Sequence, residues 1–116
     1  MMVWADLHMH SAASDGQLSP TDLVRKAQAA GIELLALTDH DTLSGTEEAI
    51  RAGRTYGIQV LRGIELGASE HRYMHILGLG MSGLHCLRFV TRYNAVVTNE
   101  NIVSLLFFMK RASIFR

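Results

Sequence analysis

Asp6, His8 and His10 stand two residues apart near the start of this 116-residue sequence. On a β-strand that spacing turns all three side chains to one face, about 6–7 Å apart along the chain. Imidazoles so placed can share one metal ion or reach two adjacent ones. His-x-His alone is weak, and surface or core histidines account for most such pairs. Four further residues change the weighing: Asp15 in Ser14-Asp15-Gly16, His40 in Thr38-Asp39-His40-Asp41, Glu65 in Gly63-Ile64-Glu65, and His75 in His75-Ile76-Leu77-Gly78. Each has an ordinary explanation by itself, Asp15 as a turn aspartate bonding its own backbone. Their places along the chain supply a common one.

The elements that must position these residues read as follows. Val3 to His10 suits a short first strand. Ser19 followed by Pro20 is a helix start, because serine accepts from a free amide and proline at the first helical position loses no hydrogen bond. Leu23, Val24, Ala27 and Ala30 recur at helical spacing, and Gly31 supplies a left-handed stop. Glu33 to Thr38 is a second, nearly continuous apolar strand, as expected where both faces are covered. Ser44-Gly45-Thr46-Glu47 reads as a capping box opening a second helix that ends at Gly57. Ile58 to Ile64 and Tyr73 to Leu79 are further strands. Strand and helix in alternation predict an α/β fold, a parallel sheet with outer helices.

In a parallel sheet the carboxyl ends of the strands form one rim. His8, His10 and Asp15 belong to the end of the first strand, His40 closes the second, Glu65 closes the third, and His75 lies within the fourth. Imidazole with carboxylate and no thiolate suits Mn²⁺, Fe²⁺ or Zn²⁺ rather than a structural zinc, and Mn²⁺ is the first expectation. So many donors, with Glu65 able to bridge through two oxygens, predict more than one metal ion per site. Ions about 3.5–4 Å apart lower the pKa of a shared water and clamp the oxygens of a phosphoryl displacement. Asp6, Asp39 and Asp41 are candidates for orienting imidazoles through the second ring nitrogen. Asp39 is equally well explained as a turn former, and Asp41 could instead pass a proton to a leaving group.

The composition is that of an ordinary folded chain, 48% hydrophobic and 19% charged, with formal charge zero. That neutrality gives no footprint for nucleic acid or a membrane surface. It hides a division. Residues 1–83 hold ten acidic and six basic side chains, whereas residues 84–116 hold five basic ones and only Glu100 as an acid. We therefore separate residues 1–83 from an unassigned cationic and apolar tail, 84–116, in which no element is placed. The single Cys86 excludes an internal disulfide and fits a reducing compartment. No basic segment precedes an apolar core at the N-terminus, and the run from Ile102 to Met109 is too short to span a bilayer, so a cytoplasmic location is expected.

Asp6-Leu7-His8-Met9-His10-Ser11, Ser14-Asp15-Gly16, Thr38-Asp39-His40-Asp41, Gly63-Ile64-Glu65 and His75-Ile76-Leu77-Gly78 together resemble the PHP (polymerase and histidinol phosphatase) superfamily. The resemblance is greatest to its stand-alone bacterial phosphoesterases, which act as nucleoside 3′,5′-bisphosphate phosphatases and 5′-to-3′ exoribonucleases. It covers residues 3–79. It implies the N-terminal strands of a distorted (β/α)7 barrel, with His8, His10, Asp15, His40, Glu65 and His75 on metal-ligand positions. It also implies hydrolysis of phosphate esters, on a phosphorylated small molecule or a nucleotide or oligonucleotide end, by a metal-activated water.

The family's later strands supply a further histidine and an Asp-x-His pair, and the sequence has no aspartate beyond Asp41. An early stop, a frameshift or an artefact is the expectation this raises. The alternative to a working phosphoesterase is accordingly a catalytically inactive remnant that at most binds metal. Relatives of the histidinol-phosphate phosphatase or polymerase-associated exonuclease type are the alternative within the enzyme class. An interaction module using the apolar stretch Leu105–Met109 is a third, less favoured than that stretch simply covering apolar sheet surface.

Overall fold

The computed structural model describes residues 2–67 and 75–80. The tail 84–116, the boundary drawn at residue 83, and the first two residues of the strand expected from Tyr73 lie outside the described residues. Six elements follow one another: β1 (Ala5–Met9), α1 (Pro20–Ala29), β2 (Leu34–Leu37), α2 (Thr46–Tyr56), β3 (Gln59–Gly67) and β4 (His75–Leu79).

The strands form one sheet in the order β1-β2-β3-β4. β1, β2 and β3 are parallel, joined by helical crossovers, and β4 runs antiparallel to β3. The alternation of strand and helix does not extend to β4. Only residues 68–74 separate it from β3, and a parallel return takes about a dozen residues or more. A sheet that grows in one direction without reversing keeps its crossover helices on one side, as a barrel wall does. Leu35 and Leu37 of β2 accordingly bury against Leu23, Val24 and Ala27 of α1 and Ala49 and Ala52 of α2. Each fully buried leucine or valine there contributes about 1.5–3 kcal/mol. The fold is an α/β half-barrel, a curled four-stranded sheet with two outer helices.

The ends of α1 form as the sequence predicts. Ser19 Oγ accepts from the Asp22 amide, and Pro20 opens the helix. At the other end the Gly31 amide donates to Gln28 and the Ile32 amide to Ala27, with Gly31 at φ 82°. This is a Schellman closure, and Ile32 packs against the same core as Ala27.

The start of α2 differs from expectation. Gly45 is the N-cap and no side chain caps the helix. The expected capping box does not form, because Ser44 pairs with Thr42 and Glu47 reaches Arg62 instead, at 2.7 Å. Gly45 sits where a Cβ would lie 2.9 Å from Pro20 and 3.1 Å from Ala13. Close packing of this turn on the loop after β1 thus takes precedence over a side-chain cap.

Candidate metal centre

The donors of the site come from four places along the chain, and each is held differently. β1 loses register between Asp6 and Met9: three steps along β1 match two along β2, from Leu35 to Leu37. The extra residue is a bulge, which re-aims the side chains beyond it. Asp6 Oδ1 accepts from the His8 backbone amide at 3.0 Å. Asp6 therefore fixes the bulged backbone, and the expectation that it orients an imidazole is corrected.

After β1 the chain turns through Ser11–Gly16. The Ser14 and Gly16 amides both donate to the Ser11 carbonyl, at 3.1 and 2.8 Å. A Cβ on Gly16 would lie 2.4 Å from the His10 carbonyl oxygen, so this turn, which carries Asp15, closes tightly enough to require glycine.

His40 follows β2 and pairs with Glu65 in an isolated parallel bridge. The Glu65 amide donates to the Asp39 carbonyl at 3.1 Å, and the Asp41 amide donates to the Glu65 carbonyl at 2.9 Å. Glu65 thus lies inside β3 rather than at its end, because β3 continues to Gly67 along the antiparallel partner β4. His75 is opposite Gly67 and Leu77 opposite Glu65. Residues two apart on a strand share a face, so His75 stands diagonally beside Glu65.

The side chains converge. Glu65 Oε2 lies 2.7 Å from His8 Nε2 and 2.8 Å from His10 Nε2, and Glu65 Oε1 lies 2.8 Å from His75 Nδ1. His40 Nε2 lies 3.8 Å from Glu65 Oε2 and 3.2 Å from Asp15 Oδ2. The His10 and His40 rings stack at 4.6 Å, and His8 and His75 meet them edge-on. Glu65 is 2% exposed. Burial pushes its carboxyl up, but the hydrogen bond with His8 and the charges of His8, His40 and His10 outweigh burial and hold it below the ordinary carboxylate value.

Ordinary hydrogen bonding does not satisfy this arrangement. His8 Nε2 and His10 Nε2 face each other at 3.1 Å while both face the same carboxylate oxygen. Each ring nitrogen has one in-plane direction for a proton or lone pair, so neither serves two partners well. His10 Nδ1 is buried with no hydrogen bond; Asp15 Oδ1, 3.5 Å away, is in ion-pair range only. Two donors each about 2.1 Å from a cation stand about 3.0–3.4 Å apart, close to the separations seen here. Three overlapping groups result: His8, His10 and Glu65; His10, Asp15 and His40; His40, Glu65 and His75, with donor atoms inside each within 4.8 Å. All six residues expected from the sequence are brought together, and the donor set fits divalent cations.

Two further expectations are corrected. Among the described residues, neither Asp39 nor Asp41 hydrogen-bonds an imidazole. Asp41 is exposed at φ 52°, a left-handed backbone. Asp39 is buried and its carboxylate binds Ser11 and Ser14. Those two serines escaped the sequence reading. The signal available was Ser-x-x-Ser immediately after His10, short hydroxyls able to bond a partner brought near by the fold.

The PHP domain family model matches residues 6–114, and this chain belongs to that family. The match runs on through 84–114, the stretch that composition set apart. A 5′-3′ exoribonuclease of Haemophilus influenzae is 49% identical over 81 residues, covering 69% of this chain and 30% of the relative. A 3′,5′-nucleoside bisphosphate phosphatase of Chromobacterium violaceum is 48% identical over 77 residues, covering 66% and 27%. The solved structure of an amidohydrolase from Chromobacterium violaceum, with bound sulfate and no metal, superposes with a TM-score of 0.62 at 45% identity over 67% of this chain and 28% of that one. This chain therefore spans about 27–30% of the length of these relatives. Among the described residues no helix is long and apolar enough to cross a membrane.

Proposed function

We propose that the protein is a metal-dependent phosphoesterase acting on phosphate esters of nucleotides or oligonucleotide ends. The observation that carries this reading is the sharing of one buried carboxylate, Glu65, between His8 and His10 through one oxygen and His75 through the other. Such a carboxylate would be able to hold cations through both of its oxygens, together with the imidazoles that face it. His8, His10, Asp15, His40, Glu65 and His75 are the proposed ligands. We take the ions to be two or more and Mn²⁺ to be the first to test, with Fe²⁺ or Zn²⁺ as alternatives; a set of imidazole and carboxylate free of sulfur suits all three.

When bound, such cations supply a lowered pKa for water and positive charge for the phosphoryl oxygens. The chain's own residues do the rest. Glu65 holds the imidazoles in a common orientation, and burial keeps bulk water from its carboxylate. Asp15, exposed at the mouth, completes the outer group with His10 and His40. Asp41 directly follows His40 and is exposed, and it is our candidate for proton transfer to the leaving oxygen. The substrate class rests on the names of the two relatives, a bisphosphate phosphatase and an exoribonuclease. A cytoplasmic setting belongs to the same reading and rests on the lone cysteine.

The test is phosphate release from a nucleoside 3′,5′-bisphosphate, and nucleotide release from a 5′-phosphorylated oligoribonucleotide, by the full chain with Mn²⁺. Release that Glu65→Gln reduces by at least about 100-fold is expected. No release with Mn²⁺, Fe²⁺ or Zn²⁺, while the metals still bind, would overturn the enzymatic reading and leave a metal-binding remnant.

A further inference from the structure

We propose that Asp39 is a positioning residue: its buried carboxylate clamps the loop after β1 so that His10 and Asp15 meet His40 and Glu65. The proposal rests on the metal-site reading above but uses side chains that hold no place among the proposed ligands.

Asp39 is 2% exposed and Ser11 is fully buried. Asp39 Oδ1 accepts from the Ser11 amide and from Ser14 Oγ, each at 2.7 Å, and Asp39 Oδ2 accepts from Ser11 Oγ at 2.7 Å. Three short bonds to one carboxylate compensate its removal from water, as bonds to an ionised acceptor do. The clamp reaches further on both sides. Ser11 Oγ accepts from the Ala13 amide at 3.1 Å, and the Ser11 carbonyl holds the Ser14 and Gly16 amides on either side of Asp15. The Asp39 carbonyl accepts the Glu65 amide. One residue, 28 positions beyond Ser11 in sequence, therefore ties the loop of His10 and Asp15 to the strand of Glu65.

Nothing comparable is needed on the other side of the site, where Glu65 and His75 are set by the ladder between β3 and β4. The Asp39 side chain should thus matter for the group of His10, Asp15 and His40 and be nearly silent for His75.

Asp39→Asn keeps the shape and removes an acceptor. In the full chain it is expected to weaken Mn²⁺ binding by about 10–100-fold, the range for groups that orient ligands. Asp39→Asn with Asp15→Ala should lose less than the two single losses multiplied, because both act on the group of His10, Asp15 and His40, whereas Asp39→Asn with His75→Ala should show both losses multiplied. A purely structural role would give multiplied losses in both pairs and would overturn the proposal.

In metal-free protein, NMR of the histidine rings provides an independent reading. Asp39→Asn should move the His10 signals and speed exchange of the Ser11 and Ala13 amides while leaving His75 unmoved. Ser14→Ala, which removes one of the three bonds, should give the same pattern in smaller measure and serves if Asp39→Asn does not fold. Unmoved His10 signals, or equal shifts at His10 and His75, would overturn the clamp. Absence of Mn²⁺ binding in the unsubstituted chain would overturn the metal reading while the ring signals still decide the clamp.

Discussion

The two halves of the site are built on different principles. On one side, Glu65 and His75 are fixed by five consecutive register pairs between β3 and β4, so backbone ladder bonds set their direction. On the other, His10 and Asp15 follow β1, and their geometry comes from a bulge, a tight glycine turn and three bonds to Asp39. Strand-held donors are placed by the same bonds that hold the sheet together. Loop-held donors are placed by a few side chains that could be lost while the sheet remains. Geometry and stability should therefore separate on the loop side and move together on the strand side.

Two glycines break the comparison most sharply. A Cβ on Gly63 would lie 2.8 Å from the Leu37 carbonyl and Thr38 Cγ2 and 3.1 Å from the Gly78 carbonyl, where three strands meet. Gly63→Ala should cost about 1–3 kcal/mol, read as a lower midpoint in urea. Gly16→Ala also meets backbone, but in the loop. It should weaken Mn²⁺ binding by about 10-fold or more with a smaller change in midpoint than Gly63→Ala. The reverse ordering of the two midpoints would remove the distinction.

A smaller effect is expected in acid. In the folded protein the Glu65 carboxyl is held below its ordinary value, so the folded state binds its proton less readily than the unfolded chain does. Its stabilisation is complete above the unfolded value of about 4.3 and is lost as pH falls through the lower folded value. Unfolding of metal-free protein across that acidic window should show a loss of stability that Glu65→Gln lacks. Parallel pH curves for the two proteins would refute it.

Neither side was fully legible in sequence, and the strand side, although the more regular, hid its antiparallel pairing. Glu65 read as the end of a strand, because the strand expected from Ile58 stopped at Ile64 and nothing local announces an antiparallel partner. Only residues 68–74 separate β3 from β4, too few for a crossover, and that spacing was the available signal. The ends of α1 were readable because Ser19, Pro20 and Gly31 act within their own turn. Ser44 and Glu47 show the same residue types and form no box, since their partners, Thr42 and Arg62, were decided by packing. Asp6 and Asp39 were recognised as supporting residues, but their partners were misjudged. A bulge redirected the first to backbone, and a contact distant in sequence gave the second two serines. That the six expected residues come together was legible, because residue type and approximate place along the strands survive local irregularity.

The most direct test is calorimetric titration of Mn²⁺ into the full chain and into Glu65→Gln. A shared carboxylate at the centre of four imidazoles predicts more than one bound ion per chain, with affinity falling by at least about 100-fold when that carboxylate is replaced. Equal binding by the two proteins, or no binding by the unsubstituted chain, would contradict it.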